Sequence, residues 1–501
     1  MKRLLKYFLI YVGLVTQIYA QQPSKINLVH SDNLEYDEQK GGKVRKLNGH
    51  VEFAQDSAVM FCDSAHFPTE KNFIYAYSRV HIIKNDSIHI YGDQLNYDGD
   101  KKFAELFRYC KLLDNKMTLT TEYMTYDMNT NIANYNNNAK IVDKDNTLTS
   151  KIGCFYANEN IFVFTKDVVL VNPKYVIHSD TLKYDMTTKI VYFFGPTTIT
   201  SKENLIYCEN GWYDTEKDVS SFKENAFIIT KEQKMWGDSL YYDRKNGIGK
   251  AFRNVIIKDT VQKIIVSGNI GVYHEKEDES IVTDSAMMIQ IFTNDSLFMH
   301  ADTLKSTFDS INNIRRMFAY HHVRFFKEDL QGKCDSLTYS SEDSVTRMYR
   351  QPVIWSKESQ MTGDTITITM KNKRIDKMDI YHNSFIISQT DTFRFDQIKG
   401  RNVTGYFDDS SHLYKIKVAG NGQTIYYGKD KEEKFVGVNR ADCSDIWIYL
   451  TNNKVSSIKF LNRPDATFYP MNELSAQELK LKDFKWLIEL KPKDRLDIFK
   501  E

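Results

Sequence analysis

Apolar residues recurring every 29 or 30 positions constrain this chain more than any other feature. Val51, Val80, Cys110, Ala139, Val168, Thr197, Ala226 and Val255 form one column with those steps. Two residues after each stands Phe53, Ile82, Leu112, Ile141, Leu170, Ile199, Ile228 or Ile257. Seven before each stands Val44, Phe73, Phe103, Ile132, Ile161, Ile190, Val219 or Ile248. With 42% of residues hydrophobic, a column apolar in all eight copies arises by chance in about one frame per thousand. Residues two apart share one face of a strand, and a 29-residue unit cannot bury such a face alone. Stacked units can, because equivalent side chains then form one continuous stripe. The expected lining of that interior is Phe53, Phe73, Ile82, Phe103, Leu112, Ile132, Ile141, Ile161, Leu170 and Ile199.

A polar phrase accompanies the columns: SDNLEYD at 31–37, GDQLNYD at 92–98, SDTLKYD at 179–185 and GDSLYYD at 237–243. Its aromatic series runs Tyr36, Phe67, Tyr97, Tyr126, Tyr156, Tyr184, Tyr213, Tyr242. Turn-formers such as Asp98-Gly99-Asp100 and Gly195-Pro196 lie between. The chain holds 31 Tyr and 30 Phe against 8 Pro, which suits pleated, half-buried surfaces. Each unit has room for two or three short strands and no helix. The fold class is all-β, an elongated repeat β-jellyroll or β-solenoid. Beyond residue 260 the period loosens, with rungs at Ile289/Ile291, Val323/Phe325, Val353/Trp355, Phe385/Ile387, Ile416/Val418 and Ile458/Phe460. This predicts regular repeats over 21–275, looser repeats over 276–470 and a cap over 471–501. In the cap, Ser475 to Glu478 has the form of a capping box, which predicts a short C-terminal helix over Leu479–Leu490, ended by Pro492. Covering the terminal strands is its expected role, and docking a partner is the other.

Residues 1–20 read as a signal peptide: Lys2, Arg3 and Lys6, an apolar run from Tyr7 to Val15, and a cleavage point after Ala20. Export and a periplasmic location follow. Beyond residue 20, 64 basic side chains face 66 acidic ones, which argues against nucleic acid as a partner. Six cysteines lack any CxxC pair. Cys62 and Cys208 lie five units apart, at least about 24 Å, whereas a disulfide needs Cα atoms within ~7 Å, so free thiols are expected. The recurrent acids Asp37, Asp98, Asp127, Asp185, Asp214 and Asp243 could form a calcium ladder or a sugar-binding row, but an Asp after a strand normally bonds its own turn. No motif for catalysis is present, His321-His322 makes a poor metal pair, and neither enzyme chemistry nor a cofactor is expected. Composition does not separate a filled interior from one left partly open.

The phrases resemble the OstA-like (LptA-like) lipopolysaccharide-transport proteins, whose repeats alternate D-x-L-x-Y-D with a GNV-x-I-like strand. The matching pieces are SDNLEYD and NGHVEF at 31–37 and 48–53, SRVHII and GDQLNYD at 78–83 and 92–98, and RNVIIKD at 253–259. The likeness runs from about 30 to 260. Two departures stand out: the glycine of GNV is mostly missing, and the chain is far longer than short family members. The resemblance implies a jellyroll open along one side that shields lipopolysaccharide acyl chains in a bridge from inner to outer membrane. It also implies inner- and outer-membrane transport components as partners, and head-to-tail self-association. The alternatives are a structural or adhesive solenoid with a filled core that binds protein, and a carbohydrate-active β-helix enzyme.

Overall fold

The first repeats fold as two long antiparallel strands joined by tight turns, and in later repeats some of these strands are broken into short pieces such as Ile132–Tyr135 and Ala139–Val142. In this computed structural model, residues 24–36, 43–85, 88–114, 117–202, 204–231, 233–372, 374–451 and 454–500 are described. The signal peptide and Asp37 lie outside them. Strands Val44–Gln55, Ala58–Pro68, Phe73–Lys84, Ile88–Asp98, Phe103–Asp114 and Met117–Asp127 form a meander in which sequence neighbours pair. Two strands per repeat advance the sheet by roughly 10 Å, twice the spacing of a single rung. The chain divides into two compact units, Met1–Lys189 and Ile190–Glu501. Position 275 lies in the turn between the paired strands Ile264–His274 and Glu279–Thr283. Among the described residues no helix is long and apolar enough to cross a membrane.

The long strands bend near their middles, and the sequence shows where. Two consecutive residues adopt positive φ at Gly49–His50, Ser78–Arg79, Arg108–Tyr109, Lys166–Asp167, Arg253–Asn254, His321–His322 and His382–Asn383. The pairing register skips there. These corners are the GN of the GNV-like phrase, and the column from Val51 onward follows them directly. A left-handed residue other than glycine costs roughly 1–2 kcal/mol. A clip from the neighbouring strand offsets part of it: the first Asp of D-x-L-x-Y bonds the corner. Asp32 takes His50 Nδ1 at 2.8 Å, Asp63 takes Arg79 Nε at 2.9 Å, Asp238 takes Asn254 Nδ2 at 3.1 Å and Asp302 takes His322 Nδ1 at 2.9 Å. The His50 and His30 bonds hold the Asp32 carboxyl below the usual range, as Arg79 and Ser78 do for Asp63.

Each corner divides a strand into two arms whose inner faces meet. In the first unit Phe53 and Phe67, from opposite arms, touch edge-on at 5.6 Å, and Tyr97 Oη donates to Gln55 Oε1 at 2.6 Å. In the second unit one apolar cluster joins Leu304, Ala319 and Ile380 of one arm to Met288, Met299 and Phe325 of the other.

The predicted C-terminal helix does not form. Its capping box does: Glu478 Oε2 accepts Ser475 N–H at 2.9 Å and Leu479 N–H reaches Ser475 O at 3.1 Å. Beyond that turn the segment is irregular, with 3-10 turns only at Ile488–Leu490 and Asp497–Phe499. A helix would keep its backbone bonds internal, whereas here buried glutamines of the sheet take up the N–H of Leu481 and Leu487. Nor does the segment cover the terminal strands. Lys454–Leu461 and Asp465–Tyr469 stay largely exposed.

Candidate functional site

One inner row of the first unit runs unbroken across its strands. Phe53, Met60, Ile82, Ile90, Leu112 and Leu119 stand opposite one another in turn, and Ile141, Leu148, Leu170 and Ile177 continue the row. Five of these positions follow from the sequence columns. The alternate ones were missed, although Met60, Ile90, Leu119, Leu148, Ile177 and Ile206 repeat at the same 29 or 30 residues. They sit on the returning strand of each repeat, where no GNV-like phrase marks the frame. Ile199 stands beside Ile206 in the second unit.

Phe73, Phe103, Ile132 and Ile161 are a correction. They are half-buried and face the opposite side of their strands. Seven residues is an odd offset, and the two-residue corner between leaves the period-two alternation in phase, so this column does not share the face of Val80 and Cys110. The inner column lies one residue later, at Ile74, Ala104, Ala133 and Phe162, all buried. Between them come Tyr97, Tyr126 and Phe155, so large and small alternate from Tyr97 to Phe155, which then stacks on Phe162 at 4.2 Å. Phe155, not Tyr156, therefore holds the inner aromatic place in its repeat. By the same parity Ile289/Ile291, Val353/Trp355 and Phe385/Ile387 face outward, while Met288, Ile354 and Ile386 take the inner positions.

The interior differs along the chain. In the first unit Ile74, Ile82, Leu106, Leu112 and Tyr126 are wholly buried, so side chains fill the space between the arms. In the second unit the row Ile199, Ile206, Ile228, Met235, Ile257, Val266 is half-buried throughout. On the other arm small residues are interspersed with large ones, Gly211, Phe222, Leu240, Ala251 and Gly271 in one row and Tyr213, Ser220, Tyr242, Gly249, Tyr273 and Ser280 in the next. A methyl added at Gly249 would meet nothing closer than 3.6 Å. That opening is local, since at Gly211 and Gly271 a methyl would meet the Ser221 carbonyl at 2.7 Å and Val255 at 3.2 Å.

Polar groups serve the scaffold. Asp98 Oδ1 accepts the N–H of Asp100 and Lys101, both at 3.1 Å, and Asp127, Asp185, Asp214 and Asp243 close their turns likewise. His321 and His322 both occupy a left-handed corner and bond different acids, Asp335 and Asp302. Among the described residues no three His, Cys, Asp or Glu side chains gather as a metal site. All six cysteines are free, and burial pushes the Cys62, Cys110, Cys208 and Cys334 thiols up to about 12.

Two protein families match this chain, across both units. The profile of the OstA-like protein family matches residues 23–180 and 176–238, and that of the LptA/(LptD N-terminal domain) LPS transport protein family matches residues 254–374. The chain belongs to the OstA-like, LptA-like lipopolysaccharide-transport family. The second match falls on the OstA-like chain's looser repeats, where its short phrases fade. Among solved structures it is similar to LptH, described as the LptA homologous periplasmic component of the conserved lipopolysaccharide transport device from Pseudomonas aeruginosa. The identity is 17%, covering 22% of this chain and 82% of that one, with a TM-score of 0.21. No curated protein matches.

Proposed function

We propose that this OstA-like chain carries lipopolysaccharide across the periplasm, with the acyl chains laid against its inner rows. The observation that carries this reading is the row Ile199, Ile206, Ile228, Met235, Ile257 and Val266, apolar along its whole length yet only half-buried, where the first unit's row is mostly buried. Covering such a row with an acyl chain contributes about 25 cal/mol per Å² removed from water. The chain is no enzyme in this reading, and it needs no cofactor. Its partners are the lipid and the inner- and outer-membrane components of the transport route. Exposed edge strands in each unit, Asn33–Tyr36 in one and Asp465–Tyr469 in the other, suit end-to-end pairing, including head-to-tail self-association.

Adjacent residues supply the test. Ile257 points inward and Ile256 outward. A photo-crosslinking residue at 257 is expected to capture lipopolysaccharide in cells, and one at 256 is not. Equal capture at the two positions, or none at 257 with the probe incorporated, would sink the proposal. The filled interior of the first unit favours a second reading, a solid scaffold that binds protein. A probe at Leu112 that captures only protein supports that reading for residues 24–189.

A further inference from the structure

The outer face of the sheet over Ser359–Thr362, Arg374–Gln389, Phe395–Phe407, Leu413–Lys429 and Phe435–Thr451 is unlike an ordinary exterior. Phe385, Ile387, Ile425, Tyr427 and Val438 are buried there, pointing away from the interior cluster. The C-terminal segment lies on them. Its Leu481 is buried, Phe484 meets Phe385 at 6.4 Å and Phe395 at 5.4 Å, and Trp486 meets Phe395 at 5.2 Å.

This segment does not join the sheet. Among the described residues, the backbone–backbone hydrogen bonds of Glu473–Lys500 are all local turns. Two glutamines hold it instead, and they flank Ile387 in a single cross-strand row. Gln397 Nε2 donates to Leu479 O at 2.9 Å, while its Oε1 accepts Leu481 N–H at 2.9 Å. Gln360 Nε2 donates to Lys485 O at 2.8 Å, while its Oε1 accepts Leu487 N–H at 2.7 Å. Each amide thus grips the carbonyl of one residue and the N–H two residues on, a contact that reads main chain and ignores side chains. Both glutamines are 1% exposed. Each amide also has one bond within the sheet, Gln360 Oε1 accepting Trp355 Nε1–H at 3.3 Å and Gln397 Nε2 donating to Phe395 O at 3.2 Å, and the segment supplies the rest. Arg440 and Lys399 add bonds to the carbonyls of Glu478 and Lys482, at 3.0 and 2.7 Å.

We propose that this face is a peptide-docking site with the C-terminal segment as its resident ligand. The C-terminal segment of a second copy of this chain, with the same Leu481, Phe484 and Trp486 anchors, takes its place by exchange. Two glutamine clamps supply register, and the three apolar anchors supply selectivity. The attachment lacks a β-ladder and is tethered by the exposed stretch around Asn472–Glu473, so the segment can leave while the sheet stays paired. The proposal is independent of what the interior carries.

The test uses the full chain with a protease site in place of Asn472-Glu473. After cutting, the C-terminal fragment is expected to stay bound and to exchange with a labelled synthetic peptide of residues 475–501. Gln360→Leu with Gln397→Leu should speed its release at least tenfold, while the thermal transition of the uncut variant stays cooperative. A fragment that exchanges only when the sheet unfolds would make it part of the core and overturn the proposal. So would a fragment that leaves at once from a folded chain that then fails to take up the peptide. Hydrogen exchange on the uncut chain gives a second measure. The Leu481 and Leu487 amides should open well before those of Ile425, and protection equal to Ile425 refutes a displaceable segment.

Discussion

Leu112 and Leu113 are neighbours of one type on opposite faces of a strand, so a paired truncation weighs the inner row directly. Leu112 is wholly buried between Ile90 and Leu119, while Leu113 is half-buried opposite His89 and Thr118. Leu112→Ala removes three carbons' worth of burial, roughly 2 kcal/mol. The void left in a filled interior brings the total to about 3–4 kcal/mol. Leu113→Ala leaves no sealed void and exposes a surface already half wet, for about 1 kcal/mol or less. For a unit of this size each kcal/mol lowers the midpoint by roughly 2–4 °C. The L112A transition should therefore fall by roughly 6–16 °C and the L113A transition by no more than about 4 °C. Thermal melting followed by the β-sheet circular dichroism signal reads both. Equal costs, or a larger cost at Leu113, would refute both the face assignment and the inner row built on it.

Two further outcomes follow from single residues. Tyr109 is 75% exposed at φ 48, so Tyr109→Gly should stabilise the first unit by about 1 kcal/mol in urea titration, and destabilisation would show that its ring is needed at the corner. Asp396 accepts Tyr427 N–H at 2.9 Å, and burial pushes its carboxyl up to about 6, above its ordinary 3.8. A raised carboxyl opposes ionisation in the folded chain, so its contribution is whole below pH 4 and is lost as pH rises through 6. Asp396→Asn, which keeps the acceptor, should raise stability at pH 7.5 by at most about 3 kcal/mol and change nothing at pH 4. The same gain at both pH values would show that the carboxyl titrates normally.

Periodicity alone determined that the chain is a β repeat, and that Phe53, Ile82, Leu112 and Ile141 stand in register. A backbone of fixed rise must return equivalent residues to equivalent places when the repeat length holds. The turn role of Asp98 and its counterparts was legible for a related reason, since an Asx turn is a local bond. Only tertiary structure decided the facing of Phe73 and Phe103, because each opens its strand five residues before a corner, and an apolar side chain there looks the same on either face until the parity through that corner is known. It also decided that Leu479–Leu490 would lie flat rather than coil. The capping signal for a helix is local, but Gln360 and Gln397, more than eighty residues away in sequence, compete for the same backbone groups, and a competitor brought in by folding leaves no mark on the segment itself.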